Sequence, residues 1–323
     1  MQFTPIWARL LAAAAICACT LGVRAETFPS KPLRIMVIVA PGGSADAVAR
    51  LVGDKLSARL KQPVLVENRP GAGGNVATQA VLKSGADGYT LLLTANNHTI
   101  NPSLFANAGY AIDDFTGVAE LMEGPSVIAV GADSPYKTLP DLLAAARGNP
   151  GKIAYGSAGI GLPSHVAGEL LQRAADVKLV HVAYRGSGPS ITDAIGGQVP
   201  VVISSLVAAM PHIQSGKLRA LAVTSAKRWP SLPNVPAAAE AGLSGYEHMT
   251  WLGLFTPRGT PEDVVQKLHK EVRAVLAQPD LKDKVAGLGG DVPQKSAEEF
   301  DAMIRKDHAS STRLVVDSNL KAQ

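Results

Sequence analysis

Cysteine is nearly absent: the 323-residue chain has two, Cys17 and Cys19, and both lie within its first 25 residues. Long apolar runs are absent after that point. The opening stretch, MQFTPIWARLLAAAAICACTLGVRA, carries Arg9, then a small or apolar run of 14 residues, Leu10 to Val23, broken only by Thr20. That order is the pattern of a secretory signal peptide, with Val23 and Ala25 supplying small side chains before a cleavage point. A membrane-spanning helix needs roughly 20 apolar residues, so an anchor is the weaker reading. Removal of residues 1–25 takes 25 from 323 and leaves 298 residues without a thiol. Such a chain has no disulfide, no thiolate-ligated zinc and no cysteine nucleophile, and it suits an oxidising compartment. Ile16-Cys17-Ala18-Cys19 is a poor match to a lipoprotein signal, which leaves a lipid anchor as a lesser alternative.

Strong charge is also lacking. The formal charge of +4, less Arg9 and Arg24, becomes +2. No Lys/Arg block is interleaved with aromatics, so nucleic acid is excluded as a partner. Seven histidines are scattered singly, with no His-x-x-x-His pair, which argues against a metal site. Gly71-Ala72-Gly73-Gly74-Asn75 has Val76 where a dinucleotide fingerprint needs its third glycine. Gly159-Ile160-Gly161 fails likewise at Ser164. No cofactor is expected.

What the chain does have is alternation. Leu33 to Ala40 is an apolar run between Pro32 and Pro41, as in a buried strand. Pro41-Gly42-Gly43-Ser44 is a turn, with Ser44 as the expected N-cap. Val48, Leu51, Val52, Leu56 and Leu60 then mark one face of a helix. Strands are predicted at 64–68 and 89–94, the latter ending in Ala95-Asn96-Asn97-His98. A second series of strand, Gly-rich turn and helix begins at Val127, with strands at 153–156, 179–182, 199–203 and 218–224. A tail follows, with a strand at 251–256 and helices at 261–277 and 296–314. Two α/β units and an α/β tail do not fit one sheet easily, and a return of the tail to the first unit would make a two-domain clamp.

The candidate loops follow strand ends, where open α/β sheets bind ligands. In Pro41-Gly42-Gly43-Ser44-Ala45-Asp46, glycines at a helix start leave N–H groups open to an anion. A plain capped turn is the competing reading, and Asp46 would repel a carboxylate unless it met an amine or hydroxyl. Gly156-Ser157-Ala158-Gly159-Ile160-Gly161 leads to His165, with Ser157 and Ser164 as donors. A hydrolase would need Gly-x-Ser-x-Gly around its serine, which Ser157 lacks. A Ser–His–Asp contact near 3 Å in the cleft would be its signature. In Tyr184-Arg185-Gly186-Ser187-Gly188-Pro189, Arg185 is either a carboxylate fork or a rim residue.

Taken in order, these stretches resemble the periplasmic receptors of tripartite tricarboxylate transporters, the Bug family. They begin with Phe28-Pro29-Ser30-Lys31-Pro32, Pro41 to Asp46, Val66-Glu67-Asn68-Arg69-Pro70-Gly71-Ala72-Gly73-Gly74-Asn75 and Asp87-Gly88-Tyr89-Thr90-Leu91. They continue through Gly156-Ser157-Ala158-Gly159 with His165, Val182-Ala183-Tyr184-Arg185-Gly186 and Gly216 to Thr224. Pro233-Asn234-Val235-Pro236, Glu240-Ala241-Gly242 and Trp251-Leu252-Gly253-Leu254 complete the set. The resemblance covers essentially the whole chain after residue 25.

The resemblance implies an α/β periplasmic binding protein of two domains. Each is a mixed or parallel sheet flanked by helices, with a cleft between them and a hinge that closes it. The expected domains are 26–127 plus 226–323, and 128–225, after a signal peptide at 1–25. It implies contacts from Gly42, Gly43, Ser44, Asp46 and Asn96 or Asn97 in one domain. In the other they are Ser157, Ala158, Gly159 and His165, with Tyr184, Gly186 and Ser187 behind them. Many members carry acids after Gly-Gly-Gln-Val and at the end of that strand; here Pro200 and Ser204/Ser205 stand instead. Ser204 thus joins the expected site, and the change favours a plain carboxylate over an amino acid. The implied role is capture of a small organic anion, by a monomer in the periplasm, for integral membrane transporter subunits. A receptor feeding a signalling kinase is the alternative, and a hydrolase a remote one.

Overall fold

The computed structural model describes residues 28–317 and 320. The predicted signal peptide lies outside the described residues. Among the described residues, no helix is long and apolar enough to cross a membrane.

The first lobe starts as its apolar runs dictate. Strand β1 (Leu33–Val37) is buried at every position but Arg34, and pairs in parallel with β2 (Val64–Asn68) and with β3 (Thr90–Ala95). Helix α1 (Ser44–Leu60) joins β1 to β2 and buries Val48, Val52, Leu56 and Leu60. Helix α2 (Asn75–Leu82) precedes β3, and α3 (Asn97–Leu104) follows it. Strand β4 (Phe115–Gly131) is the long element. A strand beginning near Val127 was expected. The chain is already extended from Phe115, because cross-strand pairing overrides a run interrupted by Gly117, Glu120, Glu123, Gly124 and Pro125.

The second lobe contains α4 (Leu139–Gly148), β5 (Ala154–Ser157), α5 (Pro163–Ala175), β6 (Val180–Ala183), α6 (Ser187–Ile195), β7 (Val201–Ser205), α7 (Leu206–Gln214) and β8 (Leu218–Val223). Strand β5 is parallel to both β6 and β7, and β4 is antiparallel to β7 and β8. The tail returns to the first lobe. Its strand β9 (Met249–Pro257) inserts antiparallel between β3 and β4. Helix α8 (Glu262–Leu276) buries Val264, Leu268 and Val272, and pairs Glu271 with Arg59 of α1 at 2.7 Å. Burying one such leucine contributes about 2 kcal/mol. Helices α9 (Pro279–Gly287) and α10 (Ala297–Asp317) complete the lobe, and α10 packs on α3.

Both sheets are mixed, and β4 runs through both. It pairs with β9 up to Pro125 and with β7 from Ser126. Three chain passages are tied there: Thr224 Oγ1 accepts from the Ser126 N–H at 2.8 Å and donates to the His248 carbonyl at 2.6 Å. Between the last two passages the Pro-marked segment packs on the second lobe. Ala238, Leu243 and Tyr246 share a buried cluster with Ile128, Tyr155 and Ile203.

Candidate functional site

Four helices begin at one place. The starts of α1 (Gly43, Ser44, Ala45), α5 (Leu162, Pro163, Ser164), α6 (Ser187) and α7 (Ser205 before it) line one cavity between the lobes. Ile38, Val39, Ala95, Ala158, Thr250 and Leu252 complete it, and no charged side chain is present. None of the four helices has a side-chain cap. Their first N–H groups lack partners within the helix, and their dipoles present partial positive charge. Five hydroxyls, from Ser44, Ser164, Ser187, Ser205 and Thr250, add adjustable donors. The inner cavity is about 40 Å³ and shares Ile38, Val39, Ala158 and Leu162 with an outer one of about 440 Å³ that reaches Gly159, Tyr184 and Arg185.

The lobes touch around this cavity. The Ala40 N–H donates to the Arg185 carbonyl at 3.0 Å. A Cβ added at Gly73, where φ is +63°, would stand 2.5 Å from the Ile160 carbonyl oxygen. One added at Gly161, with φ +76°, would stand 2.5 Å from Asn101 Oδ1. The near-fingerprint glycines thus serve close approach between lobes.

Beneath the first-lobe loop, Asp46 has both oxygens engaged. Oδ1 accepts from Arg50 at 2.8 Å and Asn68 at 3.0 Å, and Oδ2 accepts from the Gly42 N–H at 3.1 Å. Burial alone would raise its pKa, but these hydrogen bonds outweigh it and hold the carboxyl below its usual value. Asp46 therefore shapes the loop and does not line the inner cavity, although the resemblance implies a contact from it. Gly43 rather than Ser44 is the N-cap, and Ser44 is the first helical residue. Asn96 bonds the backbone of Met249 and Trp251. Asn97, fully buried, accepts from Ala95 N–H and donates to the Gly73 carbonyl. Both asparagines brace the fold, since the chain turns into α3 there.

Beneath the second-lobe loop lies a ring network. Ser157 Oγ is 2.6 Å from His181 Nε2 and accepts from the Gly159 N–H at 3.1 Å. His165 stacks on His181 at 4.3 Å, and its Nδ1 accepts from the Gly161 N–H at 3.2 Å. Tyr155 donates to Glu169 at 2.8 Å, and His165 Nε2 lies 3.8 Å from the same carboxylate. Burial pushes His165 and His181 down to about 4, which keeps both neutral. A serine thus touches a histidine, but Ser157 is fully buried and the His181 ring faces two other rings instead of an orienting aspartate. This is a brace for the loop, not a nucleophile.

Of the sequence-implied residues, Gly43, Ser44, Ala158 and Ser187 meet at the inner cavity, and Gly159 and Tyr184 at the outer one. Gly42 and Gly186 form the seam between the lobes: a Cβ on Gly42 would approach Gly188, and one on Gly186 would approach Ala40. Ser157 and His165 lie beneath. Ser204 is fully buried and outside the inner cavity; Ser205, one strand position on, faces it. Sequence reasoning placed no contact at Thr250 or Leu252, which come from the returning strand β9.

The model of the tripartite tricarboxylate transporter family receptor, TctC, matches residues 48–320. This chain belongs to that family. The receptor is 38% identical, over 97% of its length and 95% of the other's, to the UPF0065 protein in the tcbD-tcbE intergenic region of Pseudomonas sp. strain P51. Its fold is that of the periplasmic binding protein BugD, with TM-score 0.88 and 33% identity over 92% of this chain and 100% of that one. Rpa4515 of R. palustris, solved with adipate, has TM-score 0.87 and 32% identity over 90% and 98% of the two chains. MatC from Rhodopseudomonas palustris, with bound malate, has TM-score 0.85 and 33% identity over 89% and 100%. The receptor is accordingly a solute-binding protein of the periplasmic type and not an enzyme.

Proposed function

We propose that this receptor captures a small carboxylate in the inner cavity, with the carboxylate held by N–H groups and hydroxyls at the starts of α1, α5, α6 and α7. One observation carries the reading: four uncapped helix starts converge on a cavity lined by no charged side chain. Positive potential there comes from backbone dipoles alone, which favour an anion and offer nothing to an amine. Each charge-assisted bond contributes about 1.5–3 kcal/mol. The adipate and malate held by two relatives support the class of ligand.

The two lobes divide where the three passages are tied, at Pro125/Ser126 and between Thr224 and His248. Closure about that point buries the ligand, and the closed monomer delivers it to integral membrane subunits of a tripartite tricarboxylate-type transporter. Export by the signal peptide at residues 1–25 places it in the periplasm. A thermal-shift panel of about 30 mono-, di- and tricarboxylates tests the ligand class. A true ligand at 100 times its Kd stabilises the fold by about 2.7 kcal/mol. No shift with any acid, or a shift only with amines, would sink the reading.

A further inference from the structure

Thr250 lines the inner cavity and also a separate cavity of about 440 Å³ at the hinge. The walls of the second cavity come from both lobes, with Val166 and Leu170 of α5 facing Met303 and Leu314 of α10. Its electrostatics are the reverse of the cleft's. Glu120, Glu123, Glu247 and Asp307 line it, and no Lys or Arg does. Lys295 bonds Glu120 Oε2 at 2.7 Å and stands 3.5 Å from Glu123, which leaves the wall negative.

Three residues of the wall each hold a buried atom without a partner: Glu120 Oε1, His248 Nδ1 and Thr250 Oγ1. Glu120 and Thr250 are each only 3% exposed. When Glu120 is ionised, a buried carboxylate oxygen with no donor is costly, and a donor from outside the chain relieves that cost. An anion is repelled by four carboxylates. Among the described residues, no group of three or more His, Cys, Asp or Glu is placed to hold a metal ion. An ammonium group supplies both the N–H donors and the charge.

We propose that the hinge cavity binds a small organic cation carrying primary ammonium groups, with Glu120 Oε1 and Thr250 Oγ1 as its buried acceptors. The proposal shares the Thr250 hydroxyl with the carboxylate reading of the cleft but does not rest on that reading. Because both lobes wall the cavity, an occupant there biases the hinge, and by linkage the cleft biases the occupant. Burial raises Glu120 to about 7 against the opposing bond from Lys295, with Glu123 adding to the rise. Asp307 on α10 and His248 beside Thr250 also line the cavity. A bound ammonium favours the ionised carboxylate, so affinity rises as pH goes from 6 to 8.

Calorimetric titration of the purified chain with 1,4-diaminobutane tests this, at fixed ionic strength and at pH 6 and 8. Saturable one-to-one binding is expected, tighter at pH 8. Glu120→Gln should weaken it at least tenfold. Glu247→Gln, at an exposed rim position where folding is not at stake, should weaken it about threefold. The proposal is overturned if no saturable heat appears, if neither substitution changes the affinity, or if sodium or magnesium at the same concentration displaces the diamine fully.

Discussion

The two loops that face each other across the cleft do the same job with opposite supports. The loop at 41–46 rests on an ion pair: Asp46 gathers Arg50, Asn68 and its own Gly42 N–H. The loop at 157–165 rests on neutral groups: Ser157, His181 and His165, stacked and buried. Each support fixes where a helix start points, and neither places charge in the inner cavity. Anion recognition can therefore be separated from the residues that titrate. The supports should also fail at different pH.

Acid should break that symmetry most. His165 and His181 have folded pKa values near 4, below the ordinary 6.5. Their contribution is fully present above pH 6.5 and is lost as pH falls towards 4, about 3 kcal/mol for His165 alone. Asp46 has a folded value below its ordinary 3.8, so its contribution is present above that pH and is lost only below it. Amide exchange followed from pH 7 to 4 should show the 157–165 loop opening first. Simultaneous opening of both loops would refute the distinction.

Gly43→Val acts on recognition. A Cβ there meets Val39 at 3.4 Å, which the fold can absorb, and branches beyond it fill the space towards the Ser187 N–H. Affinity for the best carboxylate should fall on the order of 100-fold, about 2.7 kcal/mol, with little change in Tm. Asp46→Ala strands three donors and should cost about 2 kcal/mol of stability in urea unfolding. Ser157→Ala, which removes only neutral bonds, should cost about 1 kcal/mol. The smallest effect is expected of Arg185→Ala. Its side chain is exposed and lines the outer cavity, so a monocarboxylate should bind within about twofold of wild type. A large loss would mean that a side-chain charge, and not backbone dipoles, holds the anion.

Much of this was legible in the chain. Apolar runs ending in Pro-Gly-Gly-Ser and Gly-Ser-Ala-Gly marked strand ends feeding helices, and those turns do meet at the cleft. Least legible were the polar residues with two uses. The resemblance implies ligand contacts from Asp46 and from Asn96 or Asn97; in the fold these side chains bond neighbouring backbone and side chains, and Asn96 also lines the hinge cavity. Ser204 and Ser205 differ by one strand position, and parity in a strand so uniformly buried has no mark in sequence.

By itself the sequence determined the strand–helix alternation, the glycines that leave helix starts open, and the family, because local backbone preference and apolar periodicity are written residue by residue. Only the tertiary structure decided which of those helix starts share one cavity, that β9 returns to supply Thr250 and Leu252, and that four carboxylates gather at the hinge. Those are contacts between segments far apart in the chain, and they are set by sheet pairing and closure rather than by any local preference.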